Sequence, residues 1–263
     1  MKLERKFVEK PWGRTELPKT FGDTGGRRIG EIWFTDGGDL PLLVKYIFTS
    51  ERLSIQVHPN DEQAHARGLP SGKEECWYIL HAEPRATLGL GLKHEVTAEV
   101  LRAAALDGSI EDLMDWRPVQ AGDFFYVPAG TVHAIGGGLS LLEFQQNADV
   151  TYRLYDYGRP RELHLDDGIA VVRPQPYAED RASRVASDEP AVLVSGPLFS
   201  LVQAVDGDAA AETGNRRRWV MPLDGEVRAG GATAGSGECL LVEAGEEVDL
   251  GNGRVLVGLE GSL

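Results

Sequence analysis

Apolar positions in the first half of the chain fall in short runs, one of them strictly alternating, which predicts strands rather than helices. Ile29–Thr35 and Leu42–Phe48 are β-like runs. Across residues 53–57 the faces alternate: Leu53, Ile55 and Val57 lie on one side, Ser54 and Gln56 on the other. Pro59, Asn60 and Asp61 stop that strand, and Asp61 is placed to cap a short helix through Gln63 and Ala66. Residues 76–80 predict another strand. The period changes over residues 94–116, where Thr97 reads as an N-cap and Val100, Leu101, Ala104 and Ala105 follow at helical spacing. Gly108 breaks this helix, and Ser109 with Asp112 reads as the capping box of a second one. Strands resume over residues 122–127, 139–145 and 151–155. The polar stretch 178–190 predicts a linker, after which short strands return from Val192.

One internal echo organises this pattern. The segment GDFFYVPAG at residues 122–130 is repeated in outline by GECLLVEAG at residues 237–245. Each is a glycine–acid turn, a strand, and a second turn ending in Ala-Gly. Three residues beyond the second glycine stands His133 in the first copy and Val248 in the second. The expectation is a mainly β chain with two related units: residues 1–175, active and carrying a small helical insertion around 94–116, and residues 190–263, degenerate.

Composition narrows the function classes. Hydrophobic residues at 42% and charged residues at 26% of 263 are ordinary for a soluble globular protein. A net charge of −14 argues against nucleic-acid binding, which demands a basic face. It permits a phosphorylated substrate only where Lys or Arg cluster locally. Cys76 and Cys239 form no disulfide framework. The first fourteen residues lack the apolar run of a signal peptide, and no stretch has the length of a membrane span. These features predict a cytoplasmic protein with neither membrane nor nucleic-acid partners.

The chemistry sits in the predicted strands. Gln56 and His58 are two apart and share a strand face. Glu75 follows at the start of the next strand, and His133 comes just after the Pro128–Gly130 corner. Together they offer two nitrogens and two oxygens, a mixed set suited to zinc or a similar divalent ion. Taken singly, a histidine on a strand is more often structural than ligating. The spacing Gly122, five residues, Pro128, one, Gly130, two, His133 resembles the second cupin motif, in which a tight corner turns the histidine into the mouth of a barrel. The first cupin motif is half present, with Gln56 where many cupins carry His.

Wider blocks match a narrower family. SIQVHPND at 54–61, GKEECWY at 72–78, GDFFYVPAGTVHAI at 122–135 and LEFQQNADVTYRLYD at 142–156, with PWG at 11–13, resemble the signature blocks of type I mannose-6-phosphate isomerases. The resemblance is to the short bacterial forms and covers residues 7–175. It implies two cupin-like β-barrel (jelly-roll) units and one Zn2+, or another divalent metal, per chain. It implies a sugar-phosphate substrate too: mannose 6-phosphate and fructose 6-phosphate would be interconverted through an enediol.

Carried over residue by residue, the metal ligands fall on Gln56, His58, Glu75 and His133. Glu75 is preferred to Glu74 because the family pattern reads Lys, any residue, Glu. Gln56 is the ligand that descriptions of short enzymes sometimes omit. The family's active-site arginine falls on Arg153; Lys73 and Glu143 take catalytic positions, and Lys45 and Ser54 line the substrate pocket. Ala148 stands where a serine is common, and Phe144 replaces a smaller residue. Without the resemblance, Lys45, Lys73 and Glu143 read as solvated surface charges, and Arg153 as a partner of Asp149 or Asp156. Two other readings keep the cupin site: a non-catalytic sugar-phosphate-binding protein and an oxygenase. The set Lys73, Glu143 and Arg153 argues against the first, and the half-present first motif against the second.

Overall fold

A computed structural model describes residues 1–209 and 215–263. Strands take 43% of the chain and helices 12%, so the protein is mainly β and cupin-like. Strands β1 (Glu4–Arg14), β2 (Ile29–Thr35), β3 (Leu42–Phe48) and β4 (Ile55–Val57) lead to helix α1 (Asp61–His65). Strands β5 (Glu75–Ala82) and β6 (Thr87–Leu92) precede helices α2 (Ala98–Asp107) and α3 (Ile110–Leu113). There follow β7 (Met114–Pro118), β8 (Asp123–Val127), β9 (His133–Ile135), β10 (Leu139–Gln146), β11 (Tyr152–Tyr155) and helix α4 (Leu165–Val171).

The chain divides into two compact units. The first comprises Met1–Ile47, Leu142–Phe144 and Ser183–Leu263; the second comprises Phe48–Leu141 and Gln145–Ala182. In the first, β1, β2 and β3 pair antiparallel, and the C-terminal strands form a sheet led by Phe199–Val205 against Arg254–Glu260. Val220, Val242, Val257 and Leu259 lie in its core. Phe144, the bulky departure from the family pattern, packs edge-on to Phe199 and Trp219. Gly258 makes its room, since a Cβ there would stand 2.4 Å from the Phe144 ring.

In the second unit β11, β4, β9, β6 and β7 form an antiparallel sheet in that order. One face carries Ile55, Val57, Val132, Ala134 and Leu154 against Leu101, Ala105, Ile110 and Val171 of the three helices. These helices are too short to persist alone, so their buried apolar stripes hold them in place. The opposite face carries Gln56, His133 and Arg153 in one row, with buried Leu88, Leu90 and Ile135 beside them.

Local signals were right in kind and sometimes displaced by a residue. Thr97 caps α2 by accepting the Val100 N–H, and Gly108 ends it in the left-handed region at φ 88°. Ser109 holds the N-cap position but makes no side-chain cap: only Gly108 and Ser109 separate the two helices, and Ser109 has helical angles (φ −66°, ψ −6°) in place of the extended backbone a cap needs. The capping box belongs to Asn60 and Gln63 at α1, and Asp61 is the first helical residue. The predicted linker begins as structure, a 3-10 turn at Glu179–Arg181 and a strand at Ala182–Arg184. The Tyr177 hydroxyl, 2.8 and 2.9 Å from the carbonyls of Tyr126 and Arg181, anchors it. The echoed turns share backbone conformation: Gly122 and Gly237 have φ 87° and 80°, Gly130 and Gly245 82° and 85°. Such values favour glycine. No described helix is long and apolar enough to cross a membrane.

Candidate metal centre

Alternation along β4 does what the sequence pattern requires. Ile55 and Val57 face the helices, so Gln56 and His58 turn to the opposite side. Register then builds a row across the sheet: Arg153 of β11 lies opposite Gln56 of β4, which lies opposite His133 of β9. Directly opposed residues share a face, so these three side chains stand side by side. Glu75 begins β5, and two residues on, the Trp77 ring packs 5.5 Å from that of His133. That contact brings β5 over the face of the sheet that carries Gln56 and His133.

His58, Glu75 and His133 converge there, each no more than 2% exposed, with donor atoms all within 4.8 Å of one another. Glu75 Oε2 is 3.5 Å from His58 Nε2, and Oε1 is 3.4 Å from His133 Nε2. Ligands held about 2.0–2.2 Å from a tetrahedral ion stand roughly 3.4 Å apart, so these separations fit a shared ion. The outer ring nitrogens are committed. His58 Nδ1 is 2.8 Å from the Val150 carbonyl and His133 Nδ1 is 2.9 Å from that of Thr131. A carbonyl can only accept, so each Nδ1 carries the proton and each Nε2 presents its lone pair inward. His58 Nε2 and Glu75 Oε1 are buried without a hydrogen-bond partner among the described residues, and Glu75 Oε2 meets only the Lys73 ammonium, at 2.8 Å. Buried acceptors left so would be costly, and a cation among them removes the cost. The trio fits a divalent metal.

Burial, then the Lys73 ammonium, push His58 from its ordinary 6.5 down to about 3, against the pull of Glu75. Burial opposes the charge on Glu75, but Lys73 and the neighbouring imidazoles outweigh it and hold the carboxyl well below the usual carboxylate range. The Lys73 nitrogen is 2.8 Å from Glu75 Oε2. Acid should therefore weaken the metal-free fold. Below pH 6.5 unfolded His58 takes up a proton that folded His58 refuses until about pH 3, so stability present above 6.5 is lost through that window. Urea midpoints of metal-free protein should fall between pH 7 and 4.5, and His58→Gln should flatten part of that slope. Equal slopes for both proteins would contradict the assignment.

The other predicted residues fall in two places. In the second unit, Ser54 is buried and donates to Gln56 Oε1 at 3.1 Å, while the Gln56 amide nitrogen is 3.2 Å from His133 Nε2. Arg153 donates from its guanidinium to the Glu162 carbonyl at 2.6 Å, and its Nε is buried without a partner among the described residues. Burial and nearby Arg161 lower its ordinary value, and Asp156 opposes them. Asp156 is saturated by Arg159 and Arg161, so the alternative in which it pairs directly with Arg153 fails. In the first unit, Lys45 and Glu143 form a buried ion pair at 3.0 Å, and the Lys45 ammonium lies 5.0 Å from the Trp33 ring. Neither is the solvated charge that the bland reading expects.

Sequence reasoning missed the groups behind the donors. The Val150 and Thr131 carbonyls carry no side-chain signal at all. Asp61, Gln145 and Gln146 lie within the matching blocks, but their hydrogen bonds depend on tertiary register.

Known proteins resemble the chain along most of its length. No protein-family model matches it. A mannose-6-phosphate isomerase of Streptococcus mutans is 41% identical over 243 residues, covering 76% of each chain. Mannose-6-phosphate isomerase ManA of Bacillus subtilis is 47% identical over 209 residues, covering 63% of this chain and 65% of that one. The crystal structure of a Bacillus subtilis mannose 6-phosphate isomerase superposes with a TM-score of 0.77 at 25% identity, covering 98% of both chains. A zinc-bound mannose 6-phosphate isomerase shares the fold at a TM-score of 0.73 and 16% identity, covering 99% of both. With a relative 41% identical across 76% of both sequences, this chain belongs to the mannose-6-phosphate isomerase family.

Proposed function

We propose that this chain is a metal-dependent isomerase that interconverts mannose 6-phosphate and fructose 6-phosphate, with one zinc ion held by His58, Glu75 and His133. The observation that carries the reading is the buried trio whose inward lone pairs are preset by the Val150 and Thr131 carbonyls. Gln56 is the fourth, weaker donor. Its amide oxygen would hold the ion, and because its amide nitrogen lies 3.2 Å from His133 Nε2 the amide would have to be turned over, a choice set by hydrogen bonding rather than by shape. Two imidazoles and a carboxylate suit zinc, and the zinc-bound relative of the same fold supports that choice.

Isomerisation moves a proton between C1 and C2 of the sugar through an enediol. A bound divalent ion supplies a Lewis acid that polarises the carbonyl and hydroxyl oxygens. Arg153, permanently charged and in register with Gln56, holds the negative charge that develops on oxygen or the charge of the phosphate. Lys73 offers its proton to Glu75 and acts as a cation rather than as a base. Glu143, a buried carboxylate paired with Lys45, keeps the catalytic position that the family pattern gives it. The family pattern assigns Lys45 and Ser54 to the substrate. We read the compartment as the cytoplasm and the partners as small molecules only, in keeping with the acidic charge of −14.

Purified protein should convert mannose 6-phosphate to fructose 6-phosphate, lose the activity to a chelator and regain it with zinc. Zinc-loaded protein without turnover would overturn the isomerase assignment, and oxygen uptake with iron would favour the oxygenase.

A further inference from the structure

We propose that the consecutive glutamines Gln145 and Gln146, at the end of β10, are positioning residues for two of the three metal donors: Gln145 sets His58, and Gln146 sets Glu75. The inference rests on the metal-centre reading given above. Both side chains are buried, and a buried amide needs partners for both its ends. Successive strand residues point to opposite faces, so the pair can serve two segments at once.

Gln145 shapes the loop behind His58. Its Nε2 donates to the carbonyls of Gln146 at 2.5 Å and Ala148 at 3.0 Å, and the Ala148 N–H returns to the Gln146 carbonyl at 2.8 Å. The chain is thereby folded into a tight turn that delivers the Val150 carbonyl to His58 Nδ1 at 2.8 Å. That carbonyl decides which nitrogen of His58 faces inward.

Gln146 clamps the segment that carries Glu75. Its Oε1 accepts the Glu74 N–H at 3.0 Å, and its Nε2 donates to Asp61 Oδ1 at 3.0 Å. The same Asp61 oxygen accepts the Gly72 N–H at 2.8 Å. Backbone bonds run alongside, from Lys73 N–H to the Pro59 carbonyl and from Gln146 N–H to that of Glu74. At Gly72 a Cβ would stand 2.3 Å from the Asn60 carbonyl carbon, so the segments bearing His58 and Glu75 are pressed together where Gln146 pins them. An N–H on one side and a carboxylate on the other fix which way the amide faces. Metal–donor distances tolerate about 0.2 Å, so a clamp one residue from a donor controls affinity.

The test is zinc affinity by competition with a chromophoric chelator, with the visible spectrum of the cobalt-substituted protein and the thermal midpoint of the metal-free protein read alongside. Gln146→Met and Gln145→Met should each weaken zinc binding about 10- to 100-fold and alter the cobalt bands. Asp61→Ala should do likewise, whereas Asp61→Asn, which keeps Oδ1, should stay close to wild type. Asp61 is only half-buried, so its two variants decide the Gln146 clamp even if Gln146→Met fails to fold; Gln145→Asn, which keeps the amide but draws it back from both carbonyls, serves the same purpose for Gln145. Folded variants that bind zinc as tightly as wild type, losing only thermal midpoint, would overturn the inference. Failure of the metal-centre reading looks different: wild type itself would bind no zinc, or Glu75→Gln would bind it undiminished.

Discussion

Glu75→Gln should abolish tight zinc binding and lower turnover on the order of a thousandfold or more, well beyond the 10- to 100-fold typical of losing an outer partner. The two side chains are nearly the same shape, so the effect isolates the charge. Glu75 is fully buried between His58 and His133 and supplies the trio's only negative charge. With an amide in its place, two neutral imidazoles would have to bind the ion without a carboxylate. Lys73 would also lose the Glu75 charge 2.8 Å away. Breaking a buried ion pair from one side costs about 3–5 kcal/mol, so the metal-free variant should unfold at lower urea. Equilibrium dialysis and urea melts separate the two losses. Glu74→Gln is the control: Glu74 meets the Tyr126 hydroxyl and is not among the three converging donors, so zinc binding should persist.

Arg153→Ala should reduce kcat about 100- to 1000-fold while leaving zinc content intact. Arg153 stands in the same cross-strand row as Gln56 and His133. Its guanidinium makes one hydrogen bond to the Glu162 carbonyl, and its Nε waits buried without a partner among the described residues. Under the proposed function, such a group meets negative charge that arrives with the substrate. Arg153→Lys should recover little, because an ammonium cannot reproduce the planar fork. A parallel loss of zinc and turnover in Arg153→Ala would make the residue a structural support of the sheet.

Much of this was legible before any coordinates. The two-residue spacing of Gln56 and His58 put them on one face, and the alternation of Ile55 and Val57 said which face was apolar. The corner at Pro128–Gly130 announced His133. The choice of Glu75 over Glu74 rested on the family pattern; Glu75 is wholly enclosed, while Glu74 reaches a tyrosine. Distant pairings were not legible. Lys45 and Glu143 are 98 residues apart, and nothing local says that two charges will leave the surface to meet. Nor does local pattern separate Asn60 from Asp61 as a cap, since both side chains can accept an N–H; the backbone angle at Asn60 decides it. The glutamines of β10 look like any polar strand end until the segments they hydrogen-bond are brought beside them.

The most direct measurement is anomalous scattering at the zinc absorption edge from crystals of the zinc-loaded protein. The account predicts one strong peak per chain, about 2.0–2.2 Å from His58 Nε2, His133 Nε2 and a Glu75 oxygen. A peak elsewhere, or none in crystals of protein that still turns over, would contradict it.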